Sequence, residues 1–220
     1  MHPIKAILFD LDGTLLNTIE DLTASTNHAL RKFSLPERSV DEVRSFVGNG
    51  VRRLMQQAVP ANTSNELFEE IFETFKDYYF KHSYDYTLPY PGIMPLLYEL
   101  KEKGLKLGIV SNKWYTAVQE LSRCFFSDLI EVAIGESETT PRKPNPEGVF
   151  TALKALGCNA KEALYVGDSN IDIMTAQNAG IKCISVTWGF RNEEFLKAHQ
   201  ARTLIHSPQE LLSIITEKGC

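Results

Sequence analysis

The 220-residue sequence has no apolar run approaching the roughly 20 residues that a membrane-spanning helix needs, so a membrane partner is not expected. It has no excess of positive charge either. The formal net charge is −5 and acidic and basic residues are interspersed, which leaves no basic stripe for nucleic acid. Cysteine is scarce: Cys124, Cys158, Cys183 and Cys220 form no Cys-x-x-Cys pair and have no histidines at metal spacing, so reduced thiols are expected in place of disulfides or zinc. The five histidines, His2, His28, His82, His199 and His206, stand beside no plausible nucleophile, and a Ser-His-Asp enzyme finds no support. The apolar stretch after Met1-His2-Pro3-Ile4-Lys5 is stopped by Asp10, too short for a secretory signal, and a cytoplasmic chain is the expectation. Internal repeats, low-complexity segments and signs of an obligate protein partner are also missing.

What is present is an ordinary globular composition, 43% hydrophobic and 23% charged, long enough for one sizeable core and one smaller unit. Short apolar runs at residues 4–9, 105–110, 130–134, 163–166 and 182–186 read as buried parallel strands. Helical patterns separate most of them. One spans 93–103 and stops at Gly104, another starts at Asn145-Pro146, a third runs from near Asn170 to Gly180, and the last opens with a Ser207, Pro208, Glu210 capping box. This alternation predicts an α/β fold with a doubly wound parallel sheet. Between residues 16 and 88 strand-like runs vanish and helical spacing takes over. Ile19, Leu22, Thr26, Ala29, Leu30 and Phe33 share one face, and Ser39 with Glu42 and Thr63 with Glu66 read as capping boxes. The expected organisation is a core of residues 1–15 and 89–220 interrupted by a helical insertion of residues 16–88, placed to cap a site at the end of the first strand.

In an open parallel sheet ligands bind beyond the carboxyl ends of the strands, and four polar clusters fall there. They are Asp10-Leu11-Asp12-Gly13-Thr14, Ser111-Asn112, Arg142-Lys143-Pro144 and Gly167-Asp168-Ser169-Asn170-Ile171-Asp172. Taken alone, the first is equally a strand-end turn, and the last reads as a helix cap ahead of a functional pair, with Ser169 as a turn residue. Together, Asp10, Asp12, Asp168 and Asp172 at one sheet edge would repel one another unless a cation neutralised them, and a hard, oxygen-preferring ion such as Mg²⁺ meets that need. With such an ion, phosphoryl transfer is the economical chemistry: Asp10 as nucleophile, Asp12 moving protons, Lys143 facing the developing charge, Ser111 and Asn112 donating to phosphoryl oxygens.

These clusters, in this order, resemble the four motifs of the haloacid dehalogenase-like phosphohydrolase superfamily, and the resemblance covers nearly the whole chain. It implies a Rossmann-like core and magnesium held by Asp10, the Asp12 main-chain carbonyl and Asp168, with Asp172 acting through water or by positioning Lys143. Asp12 separates phosphohydrolases from the dehalogenases, which lack it. Insertion of helices directly after the first motif resembles the small-cap subclass, which implies a small phosphorylated metabolite as substrate.

Val47-Gly48-Asn49-Gly50-Val51-Arg52-Arg53 reads either as an ordinary turn between helices or as a loop whose amides approach an anion. It resembles the specificity loop of phosphoglycolate phosphatases, as does Trp188-Gly189-Phe190-Arg191. The resemblance therefore implies Thr14, Ser111, Asn112, Gly48, Asn49, Gly50 and Arg52 as substrate-binding residues. Relatives commonly carry Asp-Ser or Asp-Thr after the first motif, whereas this chain has Asn17-Thr18, which bears on substrate identity. A phosphosugar mutase, a pyrophosphatase and a nucleotidase share the core motifs and stand as alternatives, and a degenerate binding relative is a non-enzymatic one. Phe68, Phe72, Phe75, Tyr78 and Tyr79 are expected to pack a core, and Gly48-Asn49-Gly50 lacks the third glycine of a dinucleotide fingerprint.

Overall fold

The computed structural model describes residues 3–217, so His2 and Cys220 lie outside the described residues. The chain divides into two compact units, residues 1–16 with 89–220, and residues 17–88.

The first unit is built on β1 (Ala6–Phe9), every residue of which is buried. Alternate side chains of a strand face opposite sides of a sheet, and both sides here are apolar. Ile7 and Phe9 join Leu96, Leu97, Val118, Leu121 and Leu211 on one face, while Ala6 and Leu8 meet Val149, Ala152, Leu153 and Ala176 on the other. Burial on both faces explains why the strand reads as a continuous apolar run. Its companions are β4 (Lys106–Trp114), β5 (Val132–Glu136), β6 (Ala163–Gly167), β7 (Lys182–Val186) and β8 (Leu204–Ile205), the earlier pair β2 (Leu16–Asn17) and β3 (Leu88–Pro89) forming a separate two-stranded ribbon. The six strands are parallel in the order β5-β4-β1-β6-β7-β8. This is the expected α/β, doubly wound parallel sheet. The order reverses at β1, with β4 on one side and β6 on the other, and that reversal opens a crevice at the carboxyl end of β1.

β5 lies two residues beyond its expected run, β4 extends further than expected, and β8 was not expected. The β4 backbone continues from Val110 to Trp114 through a register shift, carrying Ser111, Asn112 and Lys113 inside the strand. The two-residue β8 is too short to leave an apolar signature.

The second unit contains α1 (Ile19–Lys32), α2 (Val40–Phe46), α3 (Val51–Ala58) and α4 (Asn65–His82). Ile19, Leu22, Thr26, Ala29 and Leu30 are buried along α1, and Phe68, Phe72, Phe75 and Tyr79 along α4, their rings stacked in sequence. Those four aromatics are core, as their helical spacing implied, whereas Tyr78 is half-buried and stacks with His28 and His82. Ser39 and Glu42 make the expected capping box. The Thr63–Glu66 box does not form. The Thr63 hydroxyl donates instead to the Pro60 carbonyl at 2.7 Å, closing the preceding turn, and Ser64 caps the helix by accepting from the Leu67 N–H. At the last helix, Glu210 accepts from the Ser207 hydroxyl at 3.0 Å and from the His206 N–H at 3.2 Å, one residue earlier than a capping box requires. Cys124, Cys158 and Cys183 are free thiols, and no described helix is long and apolar enough to cross a membrane.

Candidate active site

The acidic side chains are assembled by two strand ends. At the end of β1 the Asp10 N–H donates to the Val166 carbonyl on β6 at 2.8 Å, which carries Asp10 to the sheet edge. The chain then folds back on itself, with the amides of Leu15 and Leu16 both donating to the Leu11 carbonyl. Gly13, at φ +85°, allows that reversal, and a Cβ there would collide with the Asp168 carboxylate. On the neighbouring strand, β6 ends at Gly167, Asp168 follows, and Ser169 starts the helix Asn170–Ala179. Ser169 is an N-cap residue and not merely a turn residue: its hydroxyl accepts from the Asp172 amide, and the Asp172 carboxylate accepts from the Ser169 amide at 3.0 Å and hydroxyl at 2.6 Å. That reciprocal cap locks Asp172 in place.

Oxygens of Asp10, Asp168 and Asp172 lie within 4.8 Å of one another, and all three residues are buried. Lys143, 6% exposed, reaches into them. Its Nζ stands 2.8 Å from Asp10 Oδ1, 2.7 Å from Asp172 Oδ1 and 3.0 Å from the Tyr165 hydroxyl, which in turn donates to the Val110 carbonyl at 2.9 Å. Apart from this ion pair, buried Asp10 Oδ1 has no hydrogen-bond partner among the described residues. Asp168 receives the Phe190 N–H at 2.6 Å on Oδ2. Asp12 does not join the cluster through its side chain, whose Oδ1 faces Lys113 Nζ at 2.7 Å.

Asn112, expected as a donor to substrate, is engaged with the segment that carries Lys143. Its amide grips the Lys143 main chain from both ends, Oδ1 accepting from the Lys143 N–H at 2.7 Å and Nδ2 donating to the Lys143 carbonyl at 3.1 Å. Asn112 therefore sets where Lys143 stands. Ser111 is buried and its Oγ accepts from the Lys113 amide at 3.3 Å. Thr14 is fully buried, its carbonyl accepts from Trp188 Nε1 at 3.0 Å, and its hydroxyl makes no hydrogen bond among the described residues.

Three buried carboxylates with one shared ammonium leave an excess of negative charge, and the acidities follow. Burial pushes the Asp10 carboxyl up to about 7 against the opposing pull of Lys143, with Asp172 adding to the rise. Asp168 is raised well above the usual carboxylate range by burial, then by Asp172 and Asp10. Burial works against the Lys143 charge, yet Asp10 and Asp172 overcome it and hold the ammonium well above its ordinary value. A site of hard oxygen donors that are penalised for ionising without a further cation fits a divalent metal ion.

A family model described as haloacid dehalogenase-like hydrolase matches residues 7–186, from β1 to the end of β7. The chain belongs to the haloacid dehalogenase-like hydrolase family. Among relatives of this family, a phosphoglycolate phosphatase of Aquifex aeolicus is 34% identical over 192 residues, covering 85% of this chain and 86% of that protein. The pyrophosphatase PpaX of Listeria innocua is 32% identical over 218 residues, covering 98% of each. A crystal structure from Lactobacillus delbrueckii subsp. bulgaricus, of a protein provisionally named a phosphoglycolate phosphatase, superposes with a TM-score of 0.91 at 33% identity, covering 97% of this chain and 99% of that one.

Of the residues expected at the site of this hydrolase, Asp10, Asp12, Thr14, Ser111, Asn112, Lys143, Asp168 and Asp172 all belong to the first unit. Gly48, Asn49, Gly50 and Arg52 belong to the second. There Gly48 and Gly50 take φ of +125° and +77°, Gly50 standing at the start of α3. Arg52 is engaged within its own unit, paired with Glu69 through both terminal nitrogens at 2.7 and 2.9 Å and lying over the Phe72 ring. Sequence reasoning missed three contributors: Lys113, Tyr165 and the Phe190 amide. Lys113 directly follows Ser111-Asn112, and that adjacency was the one signal available for it. Tyr165 sits within an apolar run, and a main-chain amide leaves no mark in a sequence.

Proposed function

We propose that this hydrolase is a magnesium-dependent phosphatase of small phosphate monoesters in which Asp10 carries the phosphoryl group between two half-reactions. The observation that supports this reading most is the buried trio Asp10, Asp168 and Asp172 with Lys143 bridging Asp10 and Asp172. Asp10, Asp168 and the Asp12 main-chain carbonyl would hold the ion, with Asp172 behind them. When bound, magnesium supplies charge neutralisation between an anionic nucleophile and an anionic phosphate.

The rest is done by the chain. An Asp10 carboxylate oxygen attacks phosphorus as the bond from phosphorus to the leaving oxygen breaks, and Asp12 in its acid form gives that oxygen a proton. Asp12, now a carboxylate, takes a proton from water. The resulting hydroxide attacks phosphorus, the bond from Asp10 to phosphorus breaks, and inorganic phosphate departs with Asp10 regenerated. Lys143 offsets charge on the phosphoryl oxygens, and Ser111 donates to them. Asn112 serves by holding Lys143. The helical unit is, in the same proposal, the cap that selects the ester, with Gly48, Asn49, Gly50 and Arg52 as its substrate-facing loop and the cytoplasm as its setting.

Phosphoglycolate is the first-choice substrate, on the strength of the Aquifex relative and of the loops at residues 47–53 and 188–191. Pyrophosphate is the second, favoured by a relative that covers the chain almost end to end. Asp10→Asn should lower phosphate release from p-nitrophenyl phosphate with magnesium by about a thousandfold or more, the scale of losing a covalent nucleophile. Turnover within about tenfold of the parent would overturn the proposal. Phosphate release across phosphoglycolate, pyrophosphate, sugar phosphates and nucleotides then ranks the substrates.

A further inference from the structure

Lys113 is buried to 3% exposure, and its Nζ lies 2.7 Å from Asp12 Oδ1. A buried ammonium is costly unless an acceptor stands close, and Oδ1 of Asp12 can accept in either protonation state, so this pair is a fixed feature of the core and not a surface accident. The lysine has little freedom to wander. Its amide donates to Ser111 Oγ, Trp114 after it pairs with Glu136 on β5, and Gly135 of β5 packs so closely that a Cβ there would lie 2.8 Å from the Lys113 carbonyl. Asp12, by contrast, sits on a turn beyond the strand with its side chain 13% exposed. The more deeply buried partner therefore helps to orient the more exposed one. The adjacent Asn112 does the equivalent for Lys143, so consecutive residues of one strand end support the nucleophile and the proton carrier.

We infer that Lys113 is a positioning residue for proton transfer: by fixing Oδ1 of Asp12 it sets the plane of that carboxyl and so aims its second oxygen at the leaving group. The inference rests on the acid–base role proposed for Asp12. Misplacement of a reacting group by about 1 Å can cost on the order of a hundredfold, so loss of the anchor should be felt in the step that needs the proton. A pair that only stabilised the fold would not distinguish one leaving group from another.

The test is the dependence of kcat/KM on the leaving group, measured with magnesium on alkyl phosphates and on p-nitrophenyl phosphate for the parent, Lys113→Met, Lys113→Gln and Asp12→Asn. An alkoxide needs a proton to depart and p-nitrophenolate does not. Lys113→Met should lose about a hundredfold on the alkyl esters and no more than about threefold on p-nitrophenyl phosphate, with Lys113→Gln, which keeps a donor, in between. In an Asp12→Asn background Lys113→Met should add no further loss. An equal loss on all esters, or none, overturns the inference. If Lys113→Met does not fold, Lys113→Gln decides alone, and a leaving-group dependence equal to the parent's overturns it. Asp12→Asn separates the two layers. If it shows no leaving-group dependence the acid–base role itself falls, and if it does while the lysine variants do not, only the role of Lys113 falls.

Discussion

The strongest physical consequence of the site is that the metal-free protein should be destabilised by its own nucleophile. Burial and Asp172 lift the Asp10 carboxyl from its ordinary value of 3.8 to about 7 in the fold. Because the folded state then binds this proton more tightly than the unfolded chain does, the stabilising contribution is fully present below about pH 4 and is lost as pH rises through about 7. At 1.4 kcal/mol for each pKa unit the loss is on the order of 4 kcal/mol. Asp10→Asn places a neutral, near-isosteric amide there and removes the titration. With chelator present, Asp10→Asn should therefore melt higher than the parent at pH 7.5, by about 8–16 °C at 2–4 °C per kcal/mol for a protein of this size, and nearly level with it at pH 4. Saturating magnesium should close most of that gap at pH 7.5, since an ion at a hundredfold over its Kd adds about 2.7 kcal/mol to the protein that binds it. Calorimetry of both proteins at the two pH values, with and without magnesium, reads all of this. A metal-free Asp10→Asn variant that melts below the parent at pH 7.5 would refute the electrostatic reasoning.

Gly13→Ala should abolish magnesium-dependent turnover and destabilise the protein by about 3 kcal/mol or more, because the added methyl meets the Asp168 carboxylate at a positive φ; steady-state assays and thermal melts check it. Ser64→Ala should cost about 1 kcal/mol in denaturant unfolding while Thr63→Ala costs less, since Ser64 caps α4 and Thr63 only closes the turn before it.

The sheet was legible where burial is two-sided. β1 and β6 are buried in apolar surroundings on both faces, so hydrophobicity alone located them. β4 shows the limit of that signal, because its last four residues, Ser111, Asn112, Lys113 and Trp114, are polar or half-exposed and read as a loop. They remain in the strand because Asn112 pairs with Lys143 and Lys113 with Asp12, partners 31 and 101 residues away. The same distance hid Lys113 from the site. The acids of the first and last motifs were visible because their residue types and order were unusual, but the division of labour among them was not. That Asp172 is locked by Ser169, and that Asn112 serves Lys143, depends on backbone geometry that no spacing encodes. The misplaced α4 cap is a local case: Thr63 and Ser64 are both good caps, and a turn closed by Pro60 decided between them.

In the proposed reaction a phosphoryl group rests on Asp10 between the two half-reactions. Acid quenching during turnover of p-nitrophenyl phosphate with magnesium, followed by peptide mass analysis, should find a phosphoryl group on the peptide containing Asp10 and none in Asp10→Asn. A phosphoryl group on another residue, or a turning-over enzyme with none at any quench time, would contradict it.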